Sequence, residues 1–447
     1  MTSLSQSTRP ANSTRRILLA SLAGTTIEFF DFYIFATAAV LVFPKLFFPA
    51  ADPVSARMGS LATFAFAFYA RPVGSAVFGH FGDRIGRKAT LVAALLTMGV
   101  STVAIGLLPT YSSIGVAAPI LLALCRLGQG LGLGGEWGGA VLLATENAPP
   151  GRRAWFGMFP QLGAPFGFLL SGGTFLILSK TLTDTQFMRF GWRIPFVSSS
   201  LLVGVGLYVR LKVSETPVFR KAMEKEGRVK VPILTLCAKH GRSVVIGTLM
   251  AVATFLLFYI LTVFCLSWGT SRLGFSRERF LLMQMAGIVF FALAIPFSAA
   301  LADRHGRRVT LMLISVAIAA FGLVFAPLFG AGQTGALLTM IVGLSLMGMT
   351  YGPLGTVLSE LFPTPVRYSG SSISFNLAGI FGASLAPLIA MWLANRHGLP
   401  AVGWYLSGAA LLSFAAQCLS RETREADFTE GSPAAVLTLD RETGQAS

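Results

Sequence analysis

Charge is what this sequence has least of. Only 12% of its 447 residues are Asp, Glu, Lys or Arg, against 54% hydrophobic residues and a mean hydropathy of +0.69. Soluble proteins carry roughly 25% charged residues. The deficit excludes a soluble enzyme, a disordered chain and a nucleic-acid-binding protein together. Cysteine is also sparse: Cys125, Cys237, Cys265 and Cys418 show no C-x-x-C spacing, so neither a disulfide framework nor a metal site is signalled, and no cofactor motif stands elsewhere. Histidine is rarer where it would matter. His80, His240, His305 and His397 all fall at the ends of apolar runs or between them. The stretch from Met1 to Arg16 is polar and lacks a cleavable leader pattern, which makes the first apolar run a retained helix.

Long apolar runs are what the chain has instead. Runs of about 20 residues suit bilayer-crossing helices, and we place them near 17–43, 56–79, 89–108, 115–145, 155–179 and 190–211, then near 243–267, 280–301, 309–329, 335–361, 369–393 and 401–420. The expected fold is therefore an all-α membrane protein of twelve transmembrane helices in two six-helix bundles. Residues 1–211 form the first bundle, 212–242 a charged linker, 243–420 the second bundle and 421–447 a tail. With both termini cytoplasmic, the cytoplasmic segments and span ends collect 24 of the 35 Lys and Arg, which orients the protein. The net charge of +16 thus reads as topology and lipid contact.

The second six spans echo the first. GDRIGRKATL (82–91) and ADRHGRRVTL (302–311) align at a constant shift of 220, and Glu146, Pro149 and Arg153 recur as Glu360, Pro363 and Arg367. Parallel repeats of this kind build carriers from two rocking halves.

These residues resemble the loop signature of the major facilitator superfamily. GTTIEFFDF (24–32), RPVGSAVFGHFGDRIGRK (71–88), RLGQGLGLGGEWGGA (126–140), GWRIPF (191–196), SETPVF (214–219) and SELFPTPVRYSG (359–370) are similar to its metabolite:proton symporter branch, which includes shikimate, α-ketoglutarate, citrate and proline/betaine carriers. The resemblance implies a monomeric inner-membrane carrier, no enzyme, that takes up a small polar metabolite with protons by alternating access. It also implies that Asp83, Arg84 and Arg87, with Asp303, Arg304 and Arg307 in the second copy, latch a cytoplasmic gate; orientation by positive charge alone is the plainer reading.

Ionisable side chains at membrane depth face a cavity or a partner. Five lie deep in the first half: Glu28, Asp31, Arg71, Arg126 and Glu136. The second half offers neutral groups, among them Tyr259, Gln284, Tyr351, Ser372, Ser374 and Asn376. Depth counted along the helices brings Asp31 and Arg126 to the midplane, and Arg126, Gln129 and Glu136 fall on one stripe of the fourth span. Without a mid-depth histidine, carboxylates must carry protons; one that exchanges an arginine neighbour for apolar surroundings changes its proton affinity. Asp31 is the first candidate, then Glu28 and Glu136, with a permanent Asp31–Arg126 ion pair as the competing structural reading. Arg126 presents a planar fork suited to a substrate carboxylate. Gln129, Gln161, Arg71, Tyr351 and Asn376 are the further substrate candidates, although Arg71 equally suits packing or gating.

Gly130-x-Gly132-x-x-Gly135 formally matches a dinucleotide fingerprint, but it lies inside an apolar helix, where such spacings allow close helix approach. The sequence thus predicts proton symport of a small organic acid. A zwitterionic osmolyte such as proline or betaine, or a facilitator without proton coupling, is the alternative.

Overall fold

The computed structural model describes residues 14–49, 52–85, 87–149, 151–212, 232–363 and 366–424. Twelve long helices fill them. The first six are α1 (Thr14–Leu41), α2 (Pro53–Ile85), α3 (Arg87–Leu107), α4 in two pieces (Ala117–Gly134 and Trp137–Glu146), α5 (Arg153–Thr181) and α6 (Ile194–Lys212). The second six are α7 (Pro232–Tyr259, continued by a π-turn and Cys265–Ser271), α8 (Arg277–His305), α9 (Arg307–Gly330), α10 (Gly332–Glu360), α11 (Arg367–Gly379, continued by a π-turn and Ala386–His397) and α12 (Leu399–Leu419). Ten of these are long and apolar enough to cross a membrane. Backbone groups in lipid must be bonded within the segment, so helices are what such runs become. Most of the expected 212–242 linker, residues 213–231, lies outside the described residues, as does the tail from 425.

Several helices overrun their apolar stretches: α2 continues to Ile85 and α8 to His305, where polar residues extend them beyond the span. Two departures from regular helix matter more. Where one continuous helix was expected, α4 breaks at Gly135 and Glu136. The π-turns Ile260–Phe264 in α7 and Ile380–Ser384 in α11 each free backbone carbonyls at mid-helix. In α7 they are met from the neighbouring helix: Gln284 Nε2 on α8 donates to the carbonyls of Leu261, 3.2 Å, and Thr262, 2.7 Å.

The glycine-rich run of α4 does what its spacing predicts. A Cβ on Gly134 would collide with the Arg71 carbonyl oxygen, and one on Gly130 with that of Ala67, so α4 and α2 pack backbone to backbone. This close approach carries Arg71 and Arg126 into the same layer.

Candidate functional site

All the deep polar candidates are buried: Asp31, Arg126 and Gln161 are fully so, and Glu28, Arg71, Gln129, Glu136, Tyr351 and Asn376 nearly so. The two guanidiniums lie against one ring. Arg71 is 4.5 Å from the Phe32 centroid and Arg126 4.2 Å; Arg71 also stacks on Phe68, and Arg126 on Phe35 and Phe64. Each such cation–π contact contributes about 0.5–2 kcal/mol, more when desolvated. Yet Arg126 Nε and Nη2 and Arg71 Nε have no hydrogen-bond acceptor among the described residues. Buried donors left without acceptors are costly, so the structure keeps two cations with unmet donors in its centre. From the second half Tyr259 closes over them, its ring 5.3–6.4 Å from those of Phe32, Phe64 and Phe68.

The two carboxylates of α1 act on different neighbours. Glu28 acts electrostatically on Arg71 and on Tyr351 of α10, toward the boundary between halves. Asp31 turns into the first half, where Ser199 of α6 donates to its Oδ1 at 2.5 Å and Thr102 of α3 lies beside it. The permanent Asp31–Arg126 ion pair is not formed. Arg126 Nη1 instead donates to Gln129 Oε1, 2.8 Å, and Gln129 Nε2 to Thr102 Oγ1, also 2.8 Å. Thr102 and Ser199 escaped the sequence reading because hydroxyls are common in membrane helices and nothing in their spacing marks these two.

Three of the remaining candidates span the halves. Gln161 accepts from Trp137 Nε1, 2.9 Å, and donates to the Tyr351 carbonyl, 2.9 Å, so in this conformation both it and the Tyr351 backbone serve a bridge. Asn376 Nδ2 donates to Ser75 Oγ, 2.9 Å, and Ser75 in turn to the Gly134 carbonyl. Tyr368 donates to the Gly135 carbonyl, 2.6 Å. The carbonyls exposed where α4 breaks are thus capped from α2 and α11. Trp137 stacks on Phe375 with centroids 3.6 Å apart beside them.

The face bearing the two repeated loops is tied across the halves by charge. Asp303 accepts from the backbone N–H groups of Ala154, 3.1 Å, and Trp155, 2.9 Å, the orphan donors at the start of α5. It also pairs with Arg307 at 3.0 Å. Arg307 reaches Glu360 at 3.3 Å, and Arg153 of the first half reaches the same carboxylate at 3.8 Å. Glu146 acts on Arg367, so each half's repeated Glu faces the other half's Arg. Glu422 accepts from the N–H groups of Arg307 and Arg308, and Thr423 donates to Glu360. Arg304 is exposed and has no ion-pair partner among the described residues. The side chains of Asp83, Arg84 and Arg87 lie outside the described ones. On the opposite face Lys180 meets Glu278 at 3.2 Å and Asp184 meets Arg277 at 3.3 Å, both across the halves. The two halves are bridged at both faces.

Two membrane-spanning halves closed around a polar centre define a transporter, not an enzyme. Comparison with known proteins gives the family. Residues 17–230 match the sugar (and other) transporter model and residues 273–439 the major facilitator superfamily model. The inner membrane metabolite transport protein YhjE of Escherichia coli K12 is 57% identical over 93% of this chain and 96% of its own. The shikimate transporter of the same organism is 35% identical over 94% and 99%, and the proline/betaine transporter of Salmonella typhimurium 31% over 94% and 86%. Among solved structures, the proton:xylose symporter XylE superposes with a TM-score of 0.72 at 19% identity, covering 90% of this chain and 94% of that one, a likeness of fold. The chain belongs to the major facilitator superfamily and is a multi-pass inner-membrane metabolite transporter.

Proposed function

We propose that this protein imports a small organic acid together with protons by alternating access, as a monomer with both termini and the repeated-loop face cytoplasmic. One observation carries the reading: two buried guanidiniums flank Phe32 with Nε and Nη2 of Arg126 and Nε of Arg71 lacking acceptors among the described residues. A carboxylate is the ligand whose lone pairs match such a fork. Arg126 binds the substrate anion, with Arg71 beside it, and Asp31 carries the transported proton; Glu28 and Glu136 are the secondary carboxylates. The relatives that transport shikimate and proline or betaine support a polar metabolite of this size. The cross-half bonds of Asp303, Arg307 and Glu360 act as the cytoplasmic gate, whose breakage opens the chamber inward. The contacts of Gln161 and Asn376 report the closed state, and the same groups become available to substrate when the halves separate.

Glu28 favours a second reading, since a carboxylate beside Arg71 would suit the amine of a zwitterion. The test is uptake into proteoliposomes under an imposed pH gradient, with shikimate, other monocarboxylates, proline and betaine compared. Accumulation of an acid that collapses with the gradient is the expected result. Accumulation restricted to the zwitterions would select the second reading, and uptake indifferent to the gradient would leave an uncoupled facilitator.

A further inference from the structure

Between the arginine layer and the charged face lies a cross-half contact that the bonds of Asp303, Arg307 and Glu360 do not involve. The indole of Trp137, on the second piece of α4, stacks on Phe375 of α11 with centroids 3.6 Å apart and planes 10° from parallel, and both side chains are buried. Its depth can be counted along α11. Phe375 stands two turns, about 12 Å, in from Arg367, on which Glu146 of the other half acts at the charged face. One turn further in, a Cβ on Gly379 would lie 3.0 Å from Phe68, the ring on which Arg71 stacks.

Full overlap is not the arrangement two aromatic rings choose for themselves, because their quadrupoles favour offset or edge-to-face contact. Here each ring is held in place by its own half. Trp137 Nε1 can only donate, so Gln161 of α5 gives it Oε1, at 2.9 Å, and turns its NH2 to the Tyr351 carbonyl across the halves. Phe375 meets Phe255 of α7 edge-on, with centroids 4.8 Å apart. Two further bonds cross between the halves beside the stack, from Asn376 to Ser75 and from Tyr368 to the Gly135 carbonyl. None of these contacts involves a charge. Parting them therefore leaves no ion unpaired at membrane depth, where ions are costly.

We propose that Trp137 and Phe375 form a second, neutral latch between the halves, one layer deeper than the charged gate and set between it and the arginines. The rings must separate whenever the halves open on that face. The latch rests on the alternating access of the proposed function, and it adds that closure has two separable layers, one charged and one aromatic. Gln161 is a positioning residue for it, fixing the plane of the indole.

The test needs no substrate. In the purified full-length protein, spin labels at the exposed residues Asn147 and Arg421 report the separation of the halves by pulsed electron resonance. Trp137→Leu and Phe375→Leu each keep an apolar side chain but lose the flat face, and each should raise the long-distance population about three- to tenfold, the scale of an aromatic pair. In a Phe375→Leu background Trp137→Leu should add less than about twofold, because its partner ring is already gone. In an Asp303→Ala background it should keep its full effect, because the two layers share no residue. A full effect of Trp137→Leu in the absence of Phe375 would overturn the latch, since the indole would then serve only the packing of its own half. Where Trp137→Leu does not fold, Phe375→Tyr, which keeps the flat face, is set against Phe375→Leu, and equal shifts in the two would overturn the latch as well. A response to Asp303→Ala with none to either ring substitution removes the latch and leaves alternating access standing. Populations that no substitution moves would remove both.

Discussion

Asp303→Ala tests the gate where its energetics can be worked from the structure. The carboxylate accepts two N–H groups at the start of α5, at 3.1 and 2.9 Å, and these bonds exist only while the halves are closed on that face. Its pairing with Arg307 and that of Arg307 with Glu360 are internal to the second half and do not depend on closure. The loss therefore falls on the closed state alone. A side-chain cap contributes about 0.5–2 kcal/mol and a negative charge at a helix N-terminus about 0.3–1 kcal/mol. The Asp303 side chain is 11% exposed, so screening trims the sum only modestly. A total of about 1–3 kcal/mol shifts the equilibrium between closed and open roughly 5–150-fold toward open. Spin labels at the exposed residues Asn147 and Arg421, one on each half, report the separation by pulsed electron resonance. A gain in the long-distance population of fivefold or more is expected on the scale of such couplings, at about 1 kcal/mol. Populations unchanged within about twofold would show that the capping bonds do not hold the gate, since about 0.4 kcal/mol is less than any cap contributes.

Other substitutions probe the remaining layers. Asp31→Asn should abolish gradient-driven accumulation in proteoliposomes while leaving substrate exchange; normal accumulation would remove Asp31 from proton transfer. Arg126→Lys should weaken carboxylate binding far more than binding of neutral analogues, by about 1.5–3 kcal/mol or more than tenfold, and equal losses measured by calorimetry would argue for a structural role. Gly134→Leu places a side chain where the Arg71 carbonyl already sits, so folded, monodisperse protein should be lost in size-exclusion chromatography. Lys180→Glu breaks an ion pair whose partners are 51% and 45% exposed, and transport rates should change by less than about fivefold because exposed pairs contribute at most about 1 kcal/mol.

The architecture was legible because its cause is local. A bilayer demands apolar runs of a given length, and the repeat at a shift of 220 exposes the two halves without any knowledge of contacts. The set of deep charges was legible for the same reason, since each ionisable residue in an apolar run stands out. Pairing was not. Counting depth brought Asp31 and Arg126 to one level but could not say that α1 turns Asp31 toward α6 and α3 while Phe32 takes the guanidinium. The break in α4 was hidden because GLGLGGEWGG reads equally as a close-packed helix, and only the carbonyls capped by Ser75 and Tyr368 reveal it. The cross-half bonds of Gln161 and Asn376 depend on how the two halves pack together, which no local pattern in the sequence marks.

The amide that Gln284 lends to α7 has an effect beyond tidiness. A π-turn is a loose coil in an otherwise stiff rod, and sliding it one residue along would swing the preceding side chain by roughly 100° about the axis. Tyr259 is that side chain, seated immediately before the turn. By donating to Leu261 and Thr262, α8 pins the loose coil that sets where Tyr259 points, so the seat of the tyrosine over the arginines depends on a neighbouring helix as well as on its own.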